Sequence, residues 1–348
     1  MEKNLSISPY EKMGIVSNLT TMLAAGISIL DSIDALLQGT KGNQKKLLEI
    51  IRNDLTEGKR LYTSFAKFPR VFDKVTVNLI KAAEEAGTLE VTLRDLKKNI
   101  LREAEFNDQV KGALMYPGVI MVVFFGVFLL ILIVVIPRIS LVFSKMNLKL
   151  PLPTKILIIM SNILLSYPIP VVLVFSLIVF GAITFYKRQK SIVFGLIVSI
   201  PLVSALVKKI DLTRFSRSLA LLLSSGIPIT SSLDLTYDIV LKQDVKNVIL
   251  QSKEMISSGK KLSDGFRTYP HIIPSIMTRI TEAGEKSGTL DKAMQDISEY
   301  LEYEVSKELK TVTALLEPIM LVVIGVLIGG IIFSIIVPIY GLLGNIGG

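Results

Sequence analysis

The chain of 348 residues contains no cysteine, no tryptophan and a single histidine, His271. Without thiols there can be no disulfides, thiolate zinc sites or cysteine nucleophiles. One histidine and no cysteine also supply too few of the ligands that transition metals prefer. Carboxylate binding of a hard cation is the metal chemistry left open. No GxxxxGK[ST], paired-glycine dinucleotide loop, HExxH or GxSxG occurs, so the common catalytic signatures fail at the level of spelling. His271 lies in Tyr-Pro-His-Ile-Ile-Pro, a loop-packing context. These absences predict a protein that is no enzyme and needs no cofactor. Charge is also missing from three apolar stretches, 118–136, 169–186 and 319–337. Each is near the ~20 residues that cross a bilayer core as helix.

Half of the residues are hydrophobic and the mean hydropathy is +0.55, well above an ordinary soluble domain. The chain is expected to span a membrane three times. A weaker apolar stretch, 191–207, contains Gly195 and Pro201 and ends in Lys208-Lys209; it reads as an amphipathic, interfacial linker. The first residues, 1–14, are polar and have neither an apolar core nor a small-residue cleavage site. No secretory signal is expected, and the first span does the targeting.

The strongest positive feature is an internal repeat. Leu19, Leu23, Gly26, Ile27, Ile29, Ser32 and Asp34 return 200 positions later as Leu219, Leu223, Gly226, Ile227, Ile229, Ser232 and Asp234. At an offset of 201, Gly58, Lys59, Leu61, Phe65 and Pro69 return as Gly259, Lys260, Leu262, Phe266 and Pro270. Gly87-Thr88-Leu89, Pro117 and Pro137 return as Gly288-Thr289-Leu290, Pro318 and Pro338. Such a period is too long for a solenoid and fits two copies of a domain-sized unit.

Each copy is a polar domain followed by one span. If both polar domains face one compartment, the chain must cross back between them, and the apolar stretch 169–186 supplies the return. The expected organisation is therefore a polar domain at 1–116, a span at 117–137, a loop at 138–168, a second span at 169–186, an amphipathic linker at 187–207, the second polar domain at 208–317, a third span at 318–338 and a short tail at 339–348. Residues 1–116 hold 17 basic and 15 acidic side chains, and 187–317 hold 18 and 15. Neither block has a single-sign face rich in aromatics, so the net charge of +9 does not point to direct nucleic-acid binding. Lys and Arg cluster beside the spans on the polar-domain side, which favours cytoplasmic polar domains. The basic loop residues Arg138, Lys145, Lys149 and Lys155 oppose that bias.

The polar domains read as all helical. Leu19, Met22, Leu23, Ile29, Leu30, Ile33, Leu36 and Leu37 follow helical periodicity, and no run alternates with period two. Gly26 and Gly226 fit the position just past a helix end, where a positive φ suits glycine. Ser28 is placed to cap the next helix with Asp31 at its third position, and Pro228 suits the first turn in the second copy. Gly87 and Gly288 mark a similar break before a long helix entering a span. A helical bundle hung from a membrane-entering helix is expected.

Glu84, Glu85 and Glu285 stand in this second repeated turn. They read either as solvated acids at a helix end or as a contact surface for a partner or a hard cation. Tyr116-Pro117 and Glu317-Pro318 open the first and third spans, and Glu317 at the edge of hydrocarbon needs solvation or a polar partner. Gly325 and Gly329 form a small-xxx-small spacing for helix packing and self-association.

Taken together, the doubled domain, Leu-Leu-Leu-Ser-Ser-Gly-Ile-Pro at 221–228, Gly-Glu-Lys-Ser-Gly-Thr-Leu at 284–290, Tyr116-Pro117 and Leu316-Glu317-Pro318 resemble the type II secretion system F domain (T2SSF) family. Its members are polytopic platform proteins of type II secretion, type IV pilus and competence pilus systems. The resemblance covers residues 10–340. Gly284 is replaced by Ala83 in the first copy, a departure from the motif. The resemblance implies an all-α membrane protein with two homologous cytoplasmic helical-bundle domains and three transmembrane helices, in the inner membrane. It implies as partners a cytoplasmic hexameric assembly ATPase, pilin or pseudopilin subunits, other inner-membrane assembly proteins, membrane lipid and further copies of itself. A polytopic transporter is the alternative, but the apolar stretches hold no charged residue for a midplane site. A membrane receptor would need an output domain that the sequence does not spell.

Overall fold

A computed structural model describes residues 5–145, 152–170, 173, 176–177, 180–181, 184 and 201–346. No strand occurs among them. The first copy comprises α1 (Pro9–Ala24), α2 (Ile29–Gln38), α3 (Gly42–Thr56), α4 (Leu61–Phe65), α5 (Lys74–Ala86) and the long α6 (Leu89–Leu130). A five-residue π-helical segment, Ile131–Val135, joins α6 to α7 (Ile136–Lys145), and α8 (Leu152–Ser166) follows. The second copy repeats the order with α9 (Pro201–Ser224), α10 (Ile229–Tyr237), α11 (Gln243–Ser257), α12 (Leu262–Arg267), α13 (Ser275–Ser287) and α14 (Leu290–Ile346). The chain folds as two units. One holds Met1–Gln109 with Pro201–Lys307; the other holds Val110–Ile200 with Glu308–Gly348.

Local sequence explains the helix ends in the first unit. Ser8 accepts a hydrogen bond from the Glu11 amide, and Glu11 accepts one from the Ser8 amide, so α1 opens on a reciprocal cap. At its other end the Gly26 amide bonds the Leu23 carbonyl and the Ile27 amide the Met22 carbonyl. Gly26 has φ +78°, which removes the clash a Cβ would meet in left-handed backbone. Gly226 repeats this at φ +77°, with the Ile227 amide on the Leu222 carbonyl. Ser28 accepts from the Asp31 amide to cap α2. Its counterpart Pro228 sits at the capping residue of α10 rather than inside the first turn. Proline cannot donate there, and no donor is needed.

Each copy has its own core. In the first, Phe65 stacks on Phe72 with ring centroids 3.8 Å apart, beside the buried Ile15. In the second, Phe266 is the counterpart of Phe65, but its aromatic neighbour is Phe215, edge-on at 6.1 Å. Phe215 aligns with Ile15, and Ile273 with Phe72. Each core thus holds one phenylalanine and one isoleucine at these two positions, in exchanged order, a volume-conserving swap of the kind cores accept.

The repeats meet inside the first unit. Leu221, Leu222, Ile227, Leu235 and Ile239 of α9, α10 and the turn after each extend the core of the first copy, where α5 packs on α9 and α10. Lys74 pairs with Asp238 across this contact. The helices α6 and α14 run parallel here, since Arg102 bonds Glu299 and, seven residues on in both, Gln109 bonds Ser306.

In the second unit the outer part of α6, α7, α8 and the rest of α14 carry the apolar stretches. Two helices are long and apolar enough to cross a membrane, within Leu89–Arg138 and Leu290–Gly330, and their apolar windows are hardly covered by protein. Together with the helical, strand-free described chain, this makes an all-α membrane protein. The expected return span, 169–186, and most of the linker at 187–207 lie largely outside the described residues. Residues 138–168, expected as a connecting loop, carry most of α7 and all of α8, and α14 continues through 339–346, expected as a tail. Pro137 explains the π-helical segment. In α register its missing amide and its ring both fall on the Ile133 carbonyl; with the register shifted the Ile136 amide bonds Ile131, and neither Ile136 nor Pro137 serves the Leu132 carbonyl. The buried Ser161 hydroxyl of α8 then donates to the orphaned Leu132 carbonyl at 2.6 Å.

Candidate functional site: the repeated turn and the buried arginine between the copies

The second repeated turn is built from the end of α5 or α13. Gly87 has φ +70° and Gly288 φ +71°, and the amides of Thr88 and Thr289 reach back to the carbonyls of Ala83 and Gly284 at 2.9 Å. This arrangement aims the preceding glutamate inward. Glu84 accepts from the amides of Leu61 and Tyr62, both at 2.9 Å. Glu285 accepts from the Leu262 amide at 2.6 Å, the Ser263 amide at 3.3 Å and the Ser263 hydroxyl at 2.5 Å. In both copies the acceptor caps a short helix whose own capping residue, Arg60 or Lys261, gives no side-chain acceptor to it. A carboxylate from 22 or 23 residues later thus satisfies the amides that a helix start leaves open. The helix dipole favours the negative charge there.

The two glutamates are therefore engaged within the fold. Glu85 is exposed and lies 3.9 Å from Arg60, while its counterpart Lys286 pairs with Glu282 at 2.8 Å. Glu282 also holds Arg267 at 2.9 Å, and the lysine keeps its carboxyl below the usual range. Among the described residues no group of three or more His, Cys, Asp or Glu is arranged to hold a metal ion. The glycine that the second copy keeps opposite Ala83 has a spatial cause. A Cβ built on Gly284 would lie 2.4 Å from the Ala293 Cβ, so α13 and α14 approach more closely than any other residue type permits.

The other expected positions fall in the second unit. Tyr116 and Glu317 are exposed on α6 and α14. Pro117 and Pro318 interrupt neither helix. Close to them the Thr313 hydroxyl contacts the Ala113 carbonyl at 3.4 Å. Gly325 and Gly329 face open space, with no heavy atom near a built Cβ.

Three polar residues in the first unit were not singled out by sequence. Arg217 is buried, its guanidinium 5.3 Å above the Phe106 ring of the other copy and 2.7 Å from Glu302. Beside it Arg214 donates to Asn107 at 2.7 Å. A mixed-charge cleft of about 380 Å³ opens here, lined in part by Asp95, Arg102, Arg217 and Glu299. Asp211 is fully buried and accepts from the amides of Leu241 and Lys242 at 2.9 and 2.6 Å. Burial pushes its carboxyl above the ordinary range, against those bonds and the nearby Arg214 and Lys242. The available signal was the comparison of copies: Arg214 and Arg217 replace Gly14 and Ser17, so a side chain needed by one copy alone marks the contact between them.

With this geometry in place, comparisons with known proteins are informative. The family described as "Type II secretion system (T2SS), protein F" matches the chain twice, at residues 15–137 and 215–338. The type IV pilus assembly protein PilC of Pseudomonas aeruginosa is 29% identical over 346 residues, covering 98% of this chain and 92% of its own. PilC of Thermus thermophilus is 28% identical over 331 residues, 94% of this chain and 81% of its own. Type II secretion system protein F of P. aeruginosa is 26% identical over 334 residues, 94% and 82%. Two matches that together take in more than half of the chain, each covering a polar helical copy and the apolar helix that follows it, show that the chain belongs to the type II secretion system protein F family.

Proposed function

We propose that this protein is the inner-membrane platform of a type IV pilus or type II secretion machine. It performs no chemistry of its own and couples a separate cytoplasmic ATPase to the insertion of pilin-like subunits into a growing filament. The observation that carries this reading is the continuity of α6 and α14. In each copy the helix that closes the polar core, through Leu93 and Leu96 or Met294 and Ile297, is the one that becomes the apolar segment. Force applied to a polar copy thus has a covalent, helical route to the membrane. The parallel course of α6 and α14 in the first unit supports insertion of both copies in the same sense, with residues 169–186 as the return span and both polar copies in the cytoplasm.

Two measurements test this. Because the chain has no cysteine, single cysteines at Lys45 and Glu254 report the sidedness of each copy; both are expected to be labelled only from the cytoplasmic face. Labelling from opposite faces would refute the scaffold. The purified chain is expected to retain the assembly ATPase on membranes and to hydrolyse no nucleotide itself. Hydrolysis abolished by a substitution in one of its own polar copies would overturn the reading.

A further inference from the structure

Between α6 and α14 in the second unit lies a groove of about 300 Å³ whose lining is almost wholly apolar. Val119, Phe124, Phe128 and Ile131 belong to one wall, Ile324 and Ile328 to the other. Phe124 and Phe128 stack along the first wall with ring centroids 6.3 Å apart. From Val119 to Ile131 the helix rises about 18 Å, close to the ~15 Å of hydrocarbon in one leaflet. Spread over that length the groove is roughly 20 Å² in section, the gauge of one acyl chain and far too narrow for a helix ~10 Å across.

The end of the groove at Val119 carries polar groups at one depth. The Thr313 hydroxyl meets the Ala113 carbonyl, so residues about 200 apart stand level, and Glu317 is level with Pro117. Glu317 precedes Ile324 by seven residues and Ile328 by eleven, which keeps it on their face of α14. Tyr116 holds the same place on α6, seven residues before Val123, which also lines the groove. Both are exposed. One turn to either side of Glu317, at Thr313, Ala314, Met320 and Leu321, α14 offers no charge. Lys310, the nearest basic residue of that helix, stands about 10 Å further out. A carboxylate at the hydrocarbon edge needs a polar partner, and its own helix does not supply one.

We propose that this groove binds one phospholipid with a primary ammonium headgroup, of the phosphatidylethanolamine type. An acyl chain fills the groove, the ammonium donates to Glu317 and the Tyr116 hydroxyl donates to the phosphate. A purely anionic headgroup would meet the carboxylate with like charge, and a quaternary ammonium has no N–H for a charge-assisted hydrogen bond. The lipid thereby packs between two helices whose apolar windows have hardly any protein cover.

The chain has no tryptophan, so a single introduced one reports on its own surroundings. Phe124→Trp places it in the groove; Phe125→Trp places it at the same depth outside the lining. The full-length variants are reconstituted in phosphatidylcholine vesicles with rising fractions of chain-brominated phosphatidylethanolamine, which quenches tryptophan on contact. Phe124→Trp is expected to reach half-quenching at an about threefold lower brominated fraction than Phe125→Trp, the selectivity that an interfacial ion pair supplies. Brominated phosphatidylglycerol should quench the two alike. Glu317→Gln should bring the Phe124→Trp curve onto that of Phe125→Trp and leave the latter in place. Coincident curves before that substitution, equal selectivity for phosphatidylglycerol, or a Phe124→Trp curve indifferent to Glu317→Gln would each overturn the proposal. So would a groove tryptophan that no brominated lipid quenches, since a protein segment would then fill the groove.

Discussion

Glu285→Ala strips three donors of their shared acceptor: the amides of Leu262 and Ser263 and the Ser263 hydroxyl. Leu262 and Ser263 are buried, so water replaces the lost bonds poorly. Loss of a helix cap costs about 1 kcal/mol, and a buried donor left unmade adds about 1–3 kcal/mol. A total of about 2–4 kcal/mol is expected. For a folded unit of this size that lowers the melting temperature by roughly 4–16 °C. Glu285→Gln keeps one acceptor oxygen and should lose about half as much. The measurement is thermal unfolding in detergent, with amide hydrogen exchange read at Leu262 and Ser263. Both amides should exchange faster in the alanine variant, and Glu84→Ala should do the same to Leu61 and Tyr62. Unchanged melting and exchange, together with loss of ATPase recruitment, would refute the capping account and return these carboxylates to the role of a partner contact.

Gly284→Ala should destabilise the second copy by about 1–3 kcal/mol through overpacking against Ala293, and Ala293→Gly should restore most of it; melting of the single and double variants checks this. Asp54 is buried between Lys59 at 2.9 Å and Lys67 at 2.7 Å. Burial works to raise its carboxyl, but the two lysines and Ser64 outweigh that and hold it below the usual range. Its stabilisation is therefore present above the unfolded value near 3.9 and lost as pH falls from there through the folded value. Asp211 has the opposite sign: its folded value is raised, so Asp211→Asn should stabilise at pH 7, with the gain shrinking as pH falls through that value. Melting against pH for Asp54→Asn and Asp211→Asn separates the two. Ser161→Ala should cost about 1 kcal/mol, and less in a Pro137→Ala background, where a restored amide can serve the Leu132 carbonyl; a double-mutant cycle in detergent reads the difference.

Much of this protein is legible without coordinates because the signals are local. Positive φ at Gly26, Gly87, Gly226 and Gly288 follows from what glycine alone tolerates, and helix follows from apolar spacing within a dozen residues. Membrane residence follows from uncharged runs of sufficient length. The duplication needs no structure at all, since identity at constant offset is a property of the string. By the same logic, the π-helical segment before Pro137 was within reach, although its partner Ser161, 29 residues away, was not.

What had to wait for folded coordinates depends on distances that sequence spacing does not encode. Glu84 and Glu285 looked like surface acids because their partners lie 22 and 23 residues back across a turn. Gly284 looked like a motif letter until the approach of Ala293 gave it a steric cause. The exchange of Phe72 for Phe215 is invisible along the chain and plain in the core. Composition and periodicity specify which faces are apolar, but which faces meet is settled by packing. That is why two related copies use one shared surface in two different ways, covered at Val75 and open at Ile276.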